Sequence, residues 1–220
     1  MAKKSFQNGA EFPSLPVGNS DWAAVKAGYW SADKTQLISG LLDRKSTGAV
    51  FTRPRRFGKT FAMNMLQAFF EKTEKSNAHL FKGTKVWQNS DHRVEQGRYP
   101  VIFITFKDAK GGTWEETQRG ICAAVRIEYK RHRAVFETAG CEEDAHSLFK
   151  DILDRNKIPA DIDTSLGVLA AALHAHHKEK PVILIDEYDS PINYAAEMEA
   201  EGISVLKYGI GFSGKHVALA

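Results

Sequence analysis

The stretch "GAVFTRPRRFGKT", residues 48–60, decides how this chain is read. Gly48 to Thr52 is a short apolar, β-prone run closed by Pro54, which predicts a strand over 48–53 ending at a loop. Arg53, Arg55 and Arg56 make that loop basic, and Phe57 leads into Gly58-Lys59-Thr60. From Thr60 to Lys72, Phe61, Met65, Leu66, Phe69 and Phe70 fall on one face of a predicted helix. A strand-to-helix turn of this kind can cradle phosphate. Its backbone N–H groups face the phosphate oxygens, the lysine reaches the β/γ-phosphates, and the Ser/Thr hydroxyl takes Mg²⁺. One position departs from the usual pattern: the glycine expected five residues before Gly58 is Arg53. A bare Gly-Lys-Thr is a weak signal, because such triplets arise by chance; its context gives it weight.

Such a site needs a carboxylate for the metal at the end of another buried strand. "KPVILIDEYDSP", residues 180–191, supplies one: an apolar strand over 181–186, then Asp186 for Mg²⁺ and Glu187 to orient or deprotonate an attacking water. Read alone, Asp186-Glu187 is equally a solvated strand end before a turn. The two motifs gain weight together, because each sits at the C-terminal end of a predicted parallel strand, the edge where open α/β sheets bind ligands.

The rest of the chain fits the same class. "YPVIFITF", residues 99–106, reads as a strand covered on both faces. Two short helices are predicted within 21–43, carrying Trp22, Val25 and Tyr29, then Leu37, Ile38, Leu41 and Leu42. Further helices are expected over 113–137, capped by Thr113 with Glu116, over 142–155, opened by Cys141 and its acidic neighbours, and from Asp163-Thr164 to about Lys178. Strands alternating with helices predict an α/β fold with a parallel sheet. Residues 1–20, rich in Gly, Pro, Ser and Asn, read as a loose arm.

Composition excludes some classes. With 43% hydrophobic residues, 13 Phe and 4 Trp, the chain can build a core, which argues against disorder. A formal charge of +3 is too mild to imply nucleic-acid binding by itself. The basic segment "RIEYKRHR", residues 126–133, reads first as a solvated helix face. His174, His176 and His177 lack a Cys or carboxylate at matching spacing, so they are not read as a metal set. Cys122 and Cys141 read as two free thiols. With no apolar run long enough for a bilayer and no secretory h-region after Lys3-Lys4, no membrane association is expected and the cytoplasm is the default.

"LPVGNSDW" (15–22), "GYWSADKTQLISGLL" (28–42), "FTRPRRFGKT" (51–60), "YPVIFITFKD" (99–108), Trp114 and "ILIDEYDSPI" (183–192) together resemble the AAA-ATPase-like family. That resemblance implies a P-loop NTPase-like three-layer sandwich, often followed by a PD-(D/E)XK-nuclease-like domain. It implies ATP and Mg²⁺ as ligands. Arg53, Arg55, Arg56, Phe57, Gly58, Lys59 and Thr60 would form the nucleotide loop, Thr60 and Asp186 would hold Mg²⁺, and Glu187 would be catalytic. The family's own loop lacks the first glycine, so Arg53 is no departure from it. Asp33-Lys34-Thr35 matches the family's Asp-Lys-Thr, with its role left open between the base and the domain edge.

The resemblance also implies a strand after the acidic pair that lies between the strands bearing Lys59 and Asp186. Only residues 187–220 follow Asp186, and Tyr208 to Lys215 resemble the closing strand of the nuclease-like domain. The expectation is an incomplete sheet. Residues 21–195 would form a partial ATPase domain and 196–220 a tail joined by internal deletion, with 205–212 as a substitute strand in the alternative reading. ATP binding with weak or no hydrolysis by this chain alone follows. The competing reading is a non-catalytic remnant or protein-interaction module. The tail lacks the acidic set that nuclease chemistry needs; a protein partner or oligomer stays open.

Overall fold

A computed structural model of the chain describes residues 14–45, 47–52, 57–138 and 142–194. The chain divides into two compact units, residues 1–46 with 53–97, and residues 47–52 with 98–220. The Arg53, Arg55 and Arg56 positions, the Cys141 cap and the alternative strand 205–212 lie outside the described residues.

The first unit is helical. Asp21 caps helix α1 (Trp22–Gly28) by accepting from the Ala24 amide, and α2 (Gln36–Arg44) ends at Lys45 in the left-handed conformation. Helix α3 (Lys59–Phe70) buries Met65, Leu66, Phe69 and Phe70 as their spacing predicts, but Met63 is buried as well and Phe61, expected on that face, is only partly covered. Trp22 sits 5.3 Å from Phe61 and 5.5 Å from Phe81, and Phe69 meets Phe81 edge-on at 5.1 Å. Trp22, Val25, Ile38 and Phe81 are buried with them, whereas Tyr29, expected on the apolar face, is largely exposed. A 3₁₀ turn (Asn77–Leu80) and the short helices α4 (Lys85–Gln88) and α5 (Ser90–Arg93) complete the unit.

In the second unit, strands β1 (Val101–Thr105) and β2 (Val182–Asp186) pair in parallel, Val101 opposite Val182 and Thr105 opposite Asp186. Helix α6 (Trp114–Arg131) follows β1, capped by the Thr113 hydroxyl accepting from the Glu116 amide. The long helix expected to residue 137 breaks at His132, and α7 (Arg133–Glu137) begins there. Helices α8 (Glu143–Leu153) and α9 (Ser165–His177) close over the same core. Tyr129, Phe136 and Phe149 stack at its centre, with ring centroids 4.8–6.4 Å apart. The buried Tyr129 hydroxyl donates to the Ser165 carbonyl at 2.7 Å, and burial pushes its pKa up.

The sheet has one sealed edge. In the parallel ladder the amide of Val182 donates to Pro100 and that of Phe106 to Asp186, so β1 turns its Val101 and Phe103 backbone groups outward. Side chains of α6 meet them: Glu128 accepts from the Phe103 amide at 2.9 Å, and Arg131 and His132 donate to the Val101 carbonyl. The Phe103 amide and the Val101 carbonyl, which a third strand would need on that side, are therefore already engaged. The strand expected over 48–53 does not form: residues 48–52 carry no regular structure and Val50 is 60% exposed. An apolar pentad becomes a strand only when a neighbour takes its N–H and C=O groups, and among the described residues none does. The 181–186 strand is correspondingly less covered than expected, with Leu184 and Asp186 buried but Ile183 and Ile185 only partly so.

Candidate functional site

Gly58 begins the phosphate-loop candidate. Its φ of 75° lies in the left-handed region, where a side chain strains the backbone, and it serves as the N-cap of α3. Its carbonyl accepts the Ala62 amide at 3.0 Å, so Lys59 and Thr60 become the first helical residues. The buried aromatic end of α3 fixes the helix, and thereby the place of its first turn. Gly58 has no side chain with which to cap that turn, and the turn contains no acidic residue. The leading amides of a helix have no acceptor within it and carry the positive end of its dipole, which suits an anion. Asn64 holds the turn by donating to the Thr60 carbonyl at 3.0 Å, and Phe57 just ahead is exposed.

Asp33-Lys34-Thr35 folds back onto the same unit. Asp33 accepts from the Thr35 amide at 2.9 Å and hydroxyl at 2.7 Å through one oxygen, and from the Lys85 amide at 2.8 Å through the other. The fully buried Thr35 hydroxyl accepts from the Val86 amide at 3.1 Å. Both residues therefore cap α4 from a distant part of the chain. Partial burial works to raise the Asp33 pKa, but the Thr35 and Lys85 hydrogen bonds and the Lys85 charge outweigh it and hold the carboxyl low. Between these anchors, the Lys34 ammonium lies 3.4 Å from where a Cβ on Gly58 would stand.

The acidic pair belongs to the second unit. Asp186 is buried at the C-terminal end of β2, opposite Thr105. Glu187 has a φ of 52°, uncommon for a residue with a side chain. Its carbonyl accepts the Ser190 amide at 3.0 Å, and residues 190–194 turn helical. The chain thus leaves the strand through one left-handed residue, at the position expected to be catalytic.

A model of the family described as "Predicted AAA-ATPase" matches residues 16–207, most of the chain. The chain belongs to that family. The match runs past residue 195, into the segment read above as a tail. An uncharacterized protein in the vnfD 5' region of Azotobacter chroococcum is 27% identical over 180 residues. That match covers 81% of this chain but 29% of the relative, so the chain spans less than a third of the relative's length. No solved structure matches.

For this predicted AAA-ATPase, the structure brings Phe57, Gly58, Lys59 and Thr60 together with Lys34 in the first unit, and Asp186 with Glu187 in the second. The basic segment 126–133 is not simply a solvated face. Arg126 donates to the carbonyls of Ile152 and Asp154, capping the end of α8, and Arg131 and His132 serve the edge of β1. Among the described residues no three His, Cys, Asp or Glu side chains gather as metal ligands, and no helix is long and apolar enough to cross a membrane. A groove of about 820 Å³ among α7, α8 and α9 is lined by Leu148, Asp151, Val168 and His176, and neither Asp186 nor Glu187 borders it. Sequence reasoning left Lys34 without a role, and its nearness to Gly58 depends on contacts between distant segments that no local pattern encodes.

Proposed function

We propose that this chain carries an ATP-binding P-loop domain, built as a NTPase-like three-layer sandwich, that hydrolyses ATP weakly or not at all by itself. The observation that carries the reading is the left-handed Gly58 at the start of α3 with Lys59 and Thr60 as its first residues, in a chain of the predicted AAA-ATPase family. In this reading Lys59 holds the β/γ-phosphates and Arg53, Arg55, Arg56 and Phe57 belong to the loop around them. The Thr60 hydroxyl and the Asp186 carboxylate suit a hard cation in chemistry, so they are the residues to hold Mg²⁺. The ion would neutralise charge on the phosphates, and Glu187 is the residue to orient an attacking water. Weak hydrolysis follows from the unpaired state of residues 48–52, because the strand that should steady the loop from below has no partner among the described residues. That same observation favours the second reading, a remnant or interaction module without a competent site.

Thermal melting with Mg-ATP separates the two. At a nucleotide concentration a hundred times Kd, binding stabilises the native state by about 2.7 kcal/mol. The expected result is a rise in Tm that Lys59→Ala abolishes. Absence of any shift at millimolar Mg-ATP refutes the nucleotide reading.

A further inference from the structure

We infer that Lys34 is a second phosphate-binding lysine of the nucleotide site, an inference that rests on the proposed nucleotide reading and deepens it. Three observations converge on this residue. First, its ammonium lies against Gly58, 3.4 Å from the position of a Cβ there, at the mouth of the turn that opens into Lys59 and Thr60. Second, the charge has the wrong sign for its place in the fold. The positive end of a helix dipole favours an anion; here two lysines meet it, α3 has no acidic residue in its first turn, and among the described residues no hydrogen bond or ion pair engages the Lys34 ammonium. Third, the backbone carrying it is fixed on both sides. Asp33 and the buried Thr35 spend their side chains on the Lys85 and Val86 amides, so residue 34 is held in place while its own side chain stays exposed.

A lysine serving stability would be placed at a helix C-terminus or beside a carboxylate. Asp33 is adjacent in sequence, but its oxygens already accept three hydrogen bonds from Thr35 and Lys85. An oligophosphate at the start of α3 resolves the arrangement: it accepts from the helix amides and lies between the Lys34 and Lys59 ammonium groups. The left-handed Gly58 followed by a helical residue turns successive N–H groups to one side, as in other backbone anion nests. The ligand feature that Lys34 recognises is the phosphate chain, not the base.

The test uses isothermal titration of the full chain with Mg-ATP, inorganic tripolyphosphate and adenosine, on wild type, Lys34→Gln, Lys34→Arg and Lys59→Ala. Loss of a charge-assisted contact predicts that Lys34→Gln binds Mg-ATP and tripolyphosphate about ten- to a hundredfold more weakly by similar factors. Lys34→Arg should stay within about threefold of wild type, since it keeps the charge at comparable reach. Adenosine binding and the ligand-free melting temperature should be unchanged by Lys34→Gln, readouts that a merely structural lysine would move instead. If wild type binds Mg-ATP and Lys34→Gln binds it within about twofold, the role of Lys34 is overturned while the nucleotide reading stands. A Lys34→Arg variant as weak as Lys34→Gln overturns the charge argument. If wild type takes up neither Mg-ATP nor tripolyphosphate, the nucleotide reading itself fails, and this inference with it.

Discussion

Replacing Glu128 with alanine should unseal the outer edge of β1, and the size of the effect follows from its contacts. The carboxylate is buried, with 3% of the side chain exposed; it accepts from the Phe103 amide at 2.9 Å and from Arg131 at 2.6 and 3.0 Å. Truncation leaves the Phe103 amide without its acceptor, which costs about 1–3 kcal/mol. Orphaning a fully buried ion costs about 3–5 kcal/mol, but Arg131 is 31% exposed and regains water, so that full penalty is not reached. We expect a loss of about 2–3 kcal/mol for Glu128→Ala, or a fall in Tm of about 5–10 °C for a chain of this size. Glu128→Gln keeps an acceptor for Phe103 and should lose about 1 kcal/mol. Urea and thermal unfolding followed by circular dichroism give the stabilities, and hydrogen exchange at the Phe103 amide reports the edge directly. The effect has a pH signature. Burial alone would raise the Glu128 pKa, but hydrogen bonds from His132 and Arg131, the Arg131 charge and the Phe103 amide together hold it below its usual range. A depressed folded-state pKa means the stabilisation is present above the unfolded value of 4.5 and is lost as pH falls through the folded value. The gap between wild type and Glu128→Ala should therefore narrow in acid. A Glu128→Ala variant that melts within about 2 °C of wild type, with Phe103 exchange unchanged, refutes the sealed-edge account.

Other expectations are simpler to check. Thr35→Val keeps the buried shape but removes the acceptor for the Val86 amide, so it should cost about 1–3 kcal/mol in urea unfolding; an unchanged midpoint would show that α4 is capped by other means. Cys122 is buried and its thiol is pushed up by that burial, with the Arg126 charge working the other way. In a Cys141→Ser background, iodoacetamide at neutral pH should label Cys122 more than about tenfold faster in urea than in the native state, and equal rates would mean that α6 does not shield it.

By itself the sequence determined most of the apolar helix positions, the α/β class of the fold and the motifs. Phe61 to Phe70 repeat at helical spacing, and "VIFIT" and "VILID" are apolar runs flanked by breakers; the structure turns them into α3, β1 and β2 within a residue or two. Each of these signals is local, written in the spacing of residues a few positions apart, so it survives without knowledge of the partner. Residues 48–52 carried the same kind of signal and did not become a strand, because a strand needs hydrogen bonds from a neighbour that sequence periodicity cannot supply. Tertiary structure alone decided the rest. It broke the long helix at His132 so that Arg131 and His132 could reach the Val101 carbonyl thirty and thirty-one positions away, turning a basic segment inward as an edge seal. It also brought Asp33 to the Lys85 amide, fifty-two positions apart, and so set the Lys34 ammonium beside Gly58. The physical reason is common to both cases: charge and hydrogen-bonding groups act across space, and which of them meet is fixed only once the apolar faces have packed.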